Sequence, residues 1–161
     1  MQATARPYAL SAARFDRIKS WLTNAPNGEA ELNISELYAR GLKLRQAMFG
    51  KADVEKRMTA AGDFGAPLQN IINAYIYGDV WNRTGLTNEM RSLVMLGITA
   101  AGNRPAEFRV HAKGALANGC TKEQVQDVLL LVAMYCGTPA AIETTRIAAE
   151  FFGEVTPAPG S

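Results

Sequence analysis

Apolar and polar positions repeat at the three-to-four-residue spacing of helices almost throughout the chain, and no stretch alternates long enough to predict a strand. A first amphipathic segment runs from about Ser11 to Leu22 and ends in the breaker T-N-A-P-N-G. A second covers Ile34 to Phe49 and is stopped by Gly50. A short one spans Val54 to Ala61, and another runs from Ala66 to Tyr77 with Leu68, Ile71, Ile72, Tyr75 and Ile76 on one face. Punctuation is clearer in the second half. Thr87 caps a helix through Ala101, and Pro105 opens the next, which ends at Asn118-Gly119. Thr121 and Gln124 form a capping-box pattern for the following helix. Gly137, Thr138 and Pro139 then supply a stop, a cap and a first-turn proline for a last helix ending near Phe152. The predicted fold class is all-α.

Two of these helices are too apolar for the surface of a small monomer. Leu93 to Ile98 reads L-V-M-L-G-I, and Val128 to Cys136 reads V-L-L-L-V-A-M-Y-C. A helix apolar all round is buried on all sides, so a second copy of the chain is the expected cover. The longest apolar run is nine residues, against the roughly 20 that span a bilayer. No continuous apolar stretch opens the chain, which predicts no signal peptide and a cytoplasmic protein. The expected organisation is an N-terminal extension over 1–35, one domain over 36–153, and a disordered tail over 154–161.

Composition narrows the partners. Among 161 residues, 17 Lys and Arg against 15 Asp and Glu give a net charge of +2 with no basic run. That is not the concentrated basic face nucleic acid requires. Cys120 and Cys136 bracket one helix, roughly 24 Å apart at about 1.5 Å per residue, beyond disulfide reach. They read as reduced thiols, with Cys120 a candidate for a lowered pKa just ahead of a helix N-terminus. One histidine and two distant cysteines are poor material for zinc, so no metal site is expected.

The candidate chemistry lies in N-R-P-A-E-F-R-V-H-A-K-G-A-L-A-N-G, Asn103 to Gly119, which holds the only histidine, His111. On the helix from Pro105, Phe108, Ala112, Ala115 and Leu116 form the predicted core stripe. Glu107, His111, Gly114 and Asn118 lie beside it on one strip. An imidazole one turn from a carboxylate is a usable acid–base pair. Gly114 is about 1 kcal/mol worse than alanine in mid-helix. It either leaves space next to the imidazole or marks close packing of a neighbouring helix.

Four blocks in order carry a wider resemblance: G-D-V-W-N-R-T-G-L (Gly78–Leu86), R-S-L (Arg91–Leu93), the histidine segment, and Y-C-G-T-P-A-A (Tyr135–Ala141). From about Leu37 to Phe152 the chain resembles the carboxymuconolactone decarboxylase family, within the AhpD-like superfamily. The resemblance implies an AhpD-like helical fold in a compact homo-oligomer, a trimer or hexamer. It also implies a cofactor-independent decarboxylase of aromatic catabolism, in the β-ketoadipate pathway, acting on a small anionic substrate such as γ-carboxymuconolactone. The site positions it implies are Trp81, Arg83, Arg91, Glu107 and His111. Chemistry assigns their roles: His111 delivers a proton to carbon, Glu107 orients the ring and favours the imidazolium, Arg83 or Arg91 anchors a carboxylate, and Trp81 walls the site. Another cofactor-free lyase or isomerase on the same scaffold, and a non-catalytic or oxidative-stress protein, are the alternative readings. The superfamily's thiol peroxidases carry C-x-x-C-x-x-x-H. Aligned on His111, both cysteine positions are replaced, by Arg104 and Glu107, which removes nucleophile and resolving thiol together.

Overall fold

A computed structural model describes residues 33–153 of the protein. The expected helix Ser11–Leu22 and the tail after 153 lie outside the described residues. Six α-helices make up the rest, joined by one π-helical and one 3₁₀ turn, and no strand occurs among the described residues. They are α1 (Ile34–Phe49), α2 (Lys51–Ile71), α3 (Asn88–Ala101), α4 (Pro105–Ala117), α5 (Lys122–Cys136) and α6 (Thr138–Phe151). The fold class is all-α.

The sequence punctuation sets the boundaries physically. Gly50, between α1 and α2, sits at φ 89°, and Gly137, between α5 and α6, at φ 97°; side chains rarely adopt such angles. Thr87 accepts a hydrogen bond from the Met90 amide at 3.1 Å. Thr121 and Gln124 form the full reciprocal box: the Gln124 amide donates to Thr121 Oγ1 at 3.3 Å, and the Thr121 amide donates to Gln124 Oε1 at 2.8 Å. Thr138 is not the cap expected for α6. Gly137 takes that position and Thr138 already lies within the helix.

The largest departure lies between residues 51 and 77. The two segments expected at Val54–Ala61 and Ala66–Tyr77 form one run that breaks direction at Gly62 (φ 55°, ψ −166°). The run then widens into a π-helical turn over Ile72–Tyr77. Periodicity cannot distinguish a π turn from the α-helix it interrupts, because one extra residue per turn is lost in a short segment. Helix α1 presses on this turn. A Cβ on Gly41 would stand 1.8 Å from the Asn73 carbonyl oxygen, and one on Gly78 would stand 2.2 Å from that of Leu37. Glycine at both positions lets two backbones touch.

Two apolar clusters result, with α4 between them. On one side Phe108, Ala112 and Ala115 join Leu96, Ala100, Val125, Leu129, Val132, Ile147 and others from α3, α5 and α6. On the other side Val110 packs against a smaller cluster of Met48, Phe49, Val54, Tyr77 and Trp81. Leu116, expected in the core stripe, is exposed. The apolar faces of α3 and α5 are covered on one side only: Leu129 and Val132 are buried, whereas Met134 is 81% and Tyr135 85% exposed. No helix among the described residues is long and apolar enough to cross a membrane.

Candidate active site

His111 is placed on α4 by the helix that Pro105 opens and Gly119 closes. Its ring is half-buried and meets Phe49 of α1 edge-on, with centroids 6.1 Å apart. The Gly114 position explains how α1 comes this close. A Cβ there would stand 2.6 Å from Phe49 Cε1 and 3.3 Å from Met48 Cε. Of the two meanings of Gly114, close helix packing is the one the structure takes; the space is filled by Phe49.

From Phe49 a row of aromatics leads away from the imidazole. Tyr77 stands edge-on to Phe49 at 5.7 Å, and Trp81 lies tilted on Tyr77 at 5.6 Å. The expected residues Trp81, Arg83 and Arg91 therefore gather at one end of the row, and His111 at the other. Trp81 is buried in the second cluster. Arg83 grips Asp79 with both prongs, Nε donating to Oδ1 at 3.2 Å and Nη2 to Oδ2 at 2.9 Å. Arg91 donates to the Arg83 carbonyl and, at 3.2 Å, to Asn88 Oδ1. Together these bonds fix the turn that carries Trp81.

The electrostatics at the histidine differ from the sequence expectation. Burial pushes the His111 pKa below its ordinary value, the Arg57 guanidinium pushes it further down, and Glu107 only partly offsets them. Glu107 itself is exposed, and no hydrogen bond joins it to the imidazole among the described residues. The resting ring is neutral near pH 7, with one nitrogen able to accept a proton.

Sequence reasoning missed the cations on α1 and α2. Arg57 lies over the Phe49 ring, 5.7 Å from its centroid. Arg45 is 5% exposed and lies over Tyr77 at 6.0 Å. Its Nη1 donates to Gln69 Oε1 at 2.8 Å and Asn73 Oδ1 at 3.0 Å. Burial lowers the Arg45 pKa, and pushes the Tyr77 phenol up to about 12. Arg45 follows Gly41 by one turn on the buried stripe Leu37, Gly41, Arg45, Met48, Phe49. An arginine on an otherwise apolar helix stripe was the available signal.

The thiols run against the reading of Cys120 as activated. Cys120 is buried, and burial together with Glu89 raises its pKa rather than lowering it. Its thiol faces the Glu89 carbonyl at 3.5 Å, while Cys136 is exposed.

Comparison with known proteins places the chain in a family. The sequence profile of the carboxymuconolactone decarboxylase family matches residues 66–150. The 4-carboxymuconolactone decarboxylase of Acinetobacter baylyi is 32% identical over 128 residues, covering 80% of this chain and 96% of the relative. The chain belongs to the carboxymuconolactone decarboxylase family. A second relative, a nitrosuccinic acid decarboxylase of Metarhizium robertsii, is 36% identical over 107 residues, 66% of this chain and 75% of that one. Both named activities are decarboxylations, and this chain is a decarboxylase of the family. Arg45 and Arg57 precede the span matched by the family profile.

Proposed function

We propose that this decarboxylase acts without a cofactor on a small carboxylated acid, a carboxylated lactone of the γ-carboxymuconolactone type first among them, with His111 handling the proton. The observation that carries this reading is the lone imidazole, half-buried against Phe49, a ring that the Arg57 guanidinium also covers. A carboxylate borne on the carbon next to a carbonyl, or at its vinylogous position, needs no cofactor to leave. The carbon–carboxylate bond breaks, carbon dioxide departs, and the electron pair delocalises onto the carbonyl oxygen as an enolate. One proton must then reach carbon.

A neutral imidazole is a poor acid, so the substrate has to change its state. An anion docking beside Arg57 offsets the positive charge that disfavours protonation, and His111 takes up a proton as the complex forms. The imidazolium then delivers that proton to the carbanionic carbon and recovers one from water. Glu107 favours the charged ring from the solvent side. Trp81 closes the far end of the aromatic row. Arg83 and Arg91, whose forks are engaged within the chain, belong to substrate binding by fixing the Trp81 turn. The exposed apolar faces of α3 and α5, including Met134 and Tyr135, support a homo-oligomer in which a second copy covers them.

The test is carbon dioxide release from a panel of carboxylated lactones, β-keto acids and α-nitro acids, using wild type and His111→Asn. Release by wild type, lost in a folded His111→Asn, is the expected result. Turnover at the wild-type rate by the variant would overturn the assignment of the proton.

A further inference from the structure

The decarboxylase reading leaves one requirement open: what holds the substrate's negative charge. Arg83, a natural candidate, spends its two-pronged edge on Asp79. Arg109 is likewise matched, to Glu150 at 2.6 Å. Arg45 and Arg57 differ. No carboxylate stands within ion-pair distance of either among the described residues. Asp53, one turn before Arg57, is committed to Lys113 at 2.5 Å. Among the described residues, Arg45 donates only to the side-chain amide oxygens of Gln69 and Asn73. A buried guanidinium without a counter-charge is costly to maintain, and a purely structural role would be filled more cheaply by an apolar residue of similar volume.

The direction of the unused donors adds to this. Both Gln69 and Asn73 take their bonds from Nη1, so the Nε and Nη2 edge of Arg45 holds none among the described residues. Yet no side-chain nitrogen of the described residues is sealed from solvent without a partner. That edge is therefore not wholly sealed from solvent, although the residue as a whole is buried. The Nε–Nη2 edge is the side-on fork that matches the two oxygens of a carboxylate. The two guanidiniums also converge. Arg45 covers Tyr77, Arg57 covers Phe49, and those rings meet edge-on. His111 packs on the same Phe49 ring.

We propose that Arg45 and Arg57 are the carboxylate-recognition pair of this active site, holding a dicarboxylate across the Phe49–Tyr77 rings beside His111. One cation per carboxylate selects doubly charged acids over monoacids and esters. The proposal rests on the decarboxylase reading for its chemistry, but the binding it describes is measurable without turnover. Phe49 from α1 packs on the imidazole, and the charges that act on it are Arg57 from α2 and Glu107 from its own helix. Filling the Arg57 position with an anion therefore also prepares the ring to take its proton.

Because the chain has a single histidine, its ring resonances in an NMR titration report on this site alone. Succinate and adipate serve as probes, with dimethyl succinate as the uncharged control. In wild type at least one diacid should shift the imidazole signal saturably and raise its pKa, while the ester does neither. Arg57→Gln should keep the fold, raise the resting His111 pKa, and weaken diacid binding about ten-fold or more, as loss of a desolvated charge partner does. Arg57→Lys should recover part of it. Arg45→Lys, retaining the charge but losing the fork, should weaken binding less than Arg57→Gln. Diacid binding by Arg57→Gln within two-fold of wild type overturns the proposal. So does binding of the ester as tight as that of the diacids, or no saturable shift with either diacid in wild type. The two readings fail separately. If no carboxylated acid is decarboxylated but diacid binding depends on Arg57, the substrate reading falls and the anchor stands. If decarboxylation proceeds with an unchanged KM in Arg57→Gln, the anchor falls and the decarboxylase reading stands.

Discussion

Helix α4 has two faces that do different work. On one, Phe108, Ala112 and Ala115 enter a cluster built from α3 to α6 that is almost wholly apolar. Its few buried polar groups are matched locally: Ser92 and Thr99 return hydrogen bonds to the carbonyls of their own helix at 2.9 Å and 2.7 Å. On the other face, His111 and Gly114 meet a layer from α1, α2, the π turn and the 3₁₀ turn after it. That layer holds a buried guanidinium, the fully buried Asn73, and three aromatic rings in a row. The first face follows the ordinary rule of cores, in which apolar side chains fill space. The second face breaks the rule with polar groups retained against a desolvation penalty, which is where function is expected to lie.

Breaking the first face should show as stability. Phe108→Ala removes a fully buried ring, and such truncations cost about 3–5 kcal/mol. Urea unfolding should give a midpoint far below that of wild type. A change within a few tenths of a kcal/mol would mean that α4 is not anchored by this cluster.

Breaking the second face should show as chemistry. His111→Asn leaves the core untouched and should fold normally. Its turnover should fall about 10²–10⁴-fold, the usual contribution of a positioned acid or base. Gly114→Ala tests the seam between the faces. The added Cβ meets the Phe49 ring at 2.6 Å, so the ring or α1 must shift, at about 1–3 kcal/mol. Because Phe49 is the wall of His111, activity should fall by more than the loss of folded protein accounts for. An unchanged melting temperature with full activity would mean that α1 yields freely.

The same two faces mark how far sequence pattern reaches. The cluster from α3 to α6 was readable because its helices carry local signals at each end: Thr87, Pro105, Asn118-Gly119 and the Thr121–Gln124 box, each acting within one turn. His111 and Glu107 were readable as a pair because i and i+4 lie together on any helix. Trp81 and Arg83 came from motif resemblance, and their local partners Tyr77 and Asp79 lie only four residues before them. The α1–α2 layer was not readable. Arg45 acquires its meaning from Gln69 and Asn73, 24 and 28 residues later. Arg57 acts on His111 from another helix, α2, through its place over the Phe49 ring, and Asp53 of the same helix pairs with Lys113 of α4. Gly114 was ambiguous for the same reason: Phe49, which decides between space and packing, belongs to another helix.

The smallest expected effect concerns pH and separates the two charges acting on His111. Its folded pKa lies below the ordinary 6.5, with burial the largest cause. The unfolded chain therefore takes up its proton first as pH falls. Stability declines from about pH 6.5 downward, and the decline from this group ends once pH passes below the folded pKa. His111→Asn should lack this decline and keep its midpoint better between pH 7 and 5. The carboxylates held down by cations, Glu143 by Arg146 and Glu150 by Arg109, act in a separate window, losing their contribution only below about pH 4.5. Glu107→Gln removes the one group that raises the His111 pKa. It should lower that pKa further and move the basic limb of the kcat–pH profile to lower pH, with at most a few-fold loss at the optimum. The effect is small because Glu107 is exposed and its charge is screened by solvent. Screening supplies the control: near 1 M salt, where the Debye length falls to about 3 Å, wild type and Glu107→Gln should have converging profiles. A Glu107→Gln loss as large as that of His111→Asn, undiminished by salt, would mean that Glu107 itself exchanges the proton.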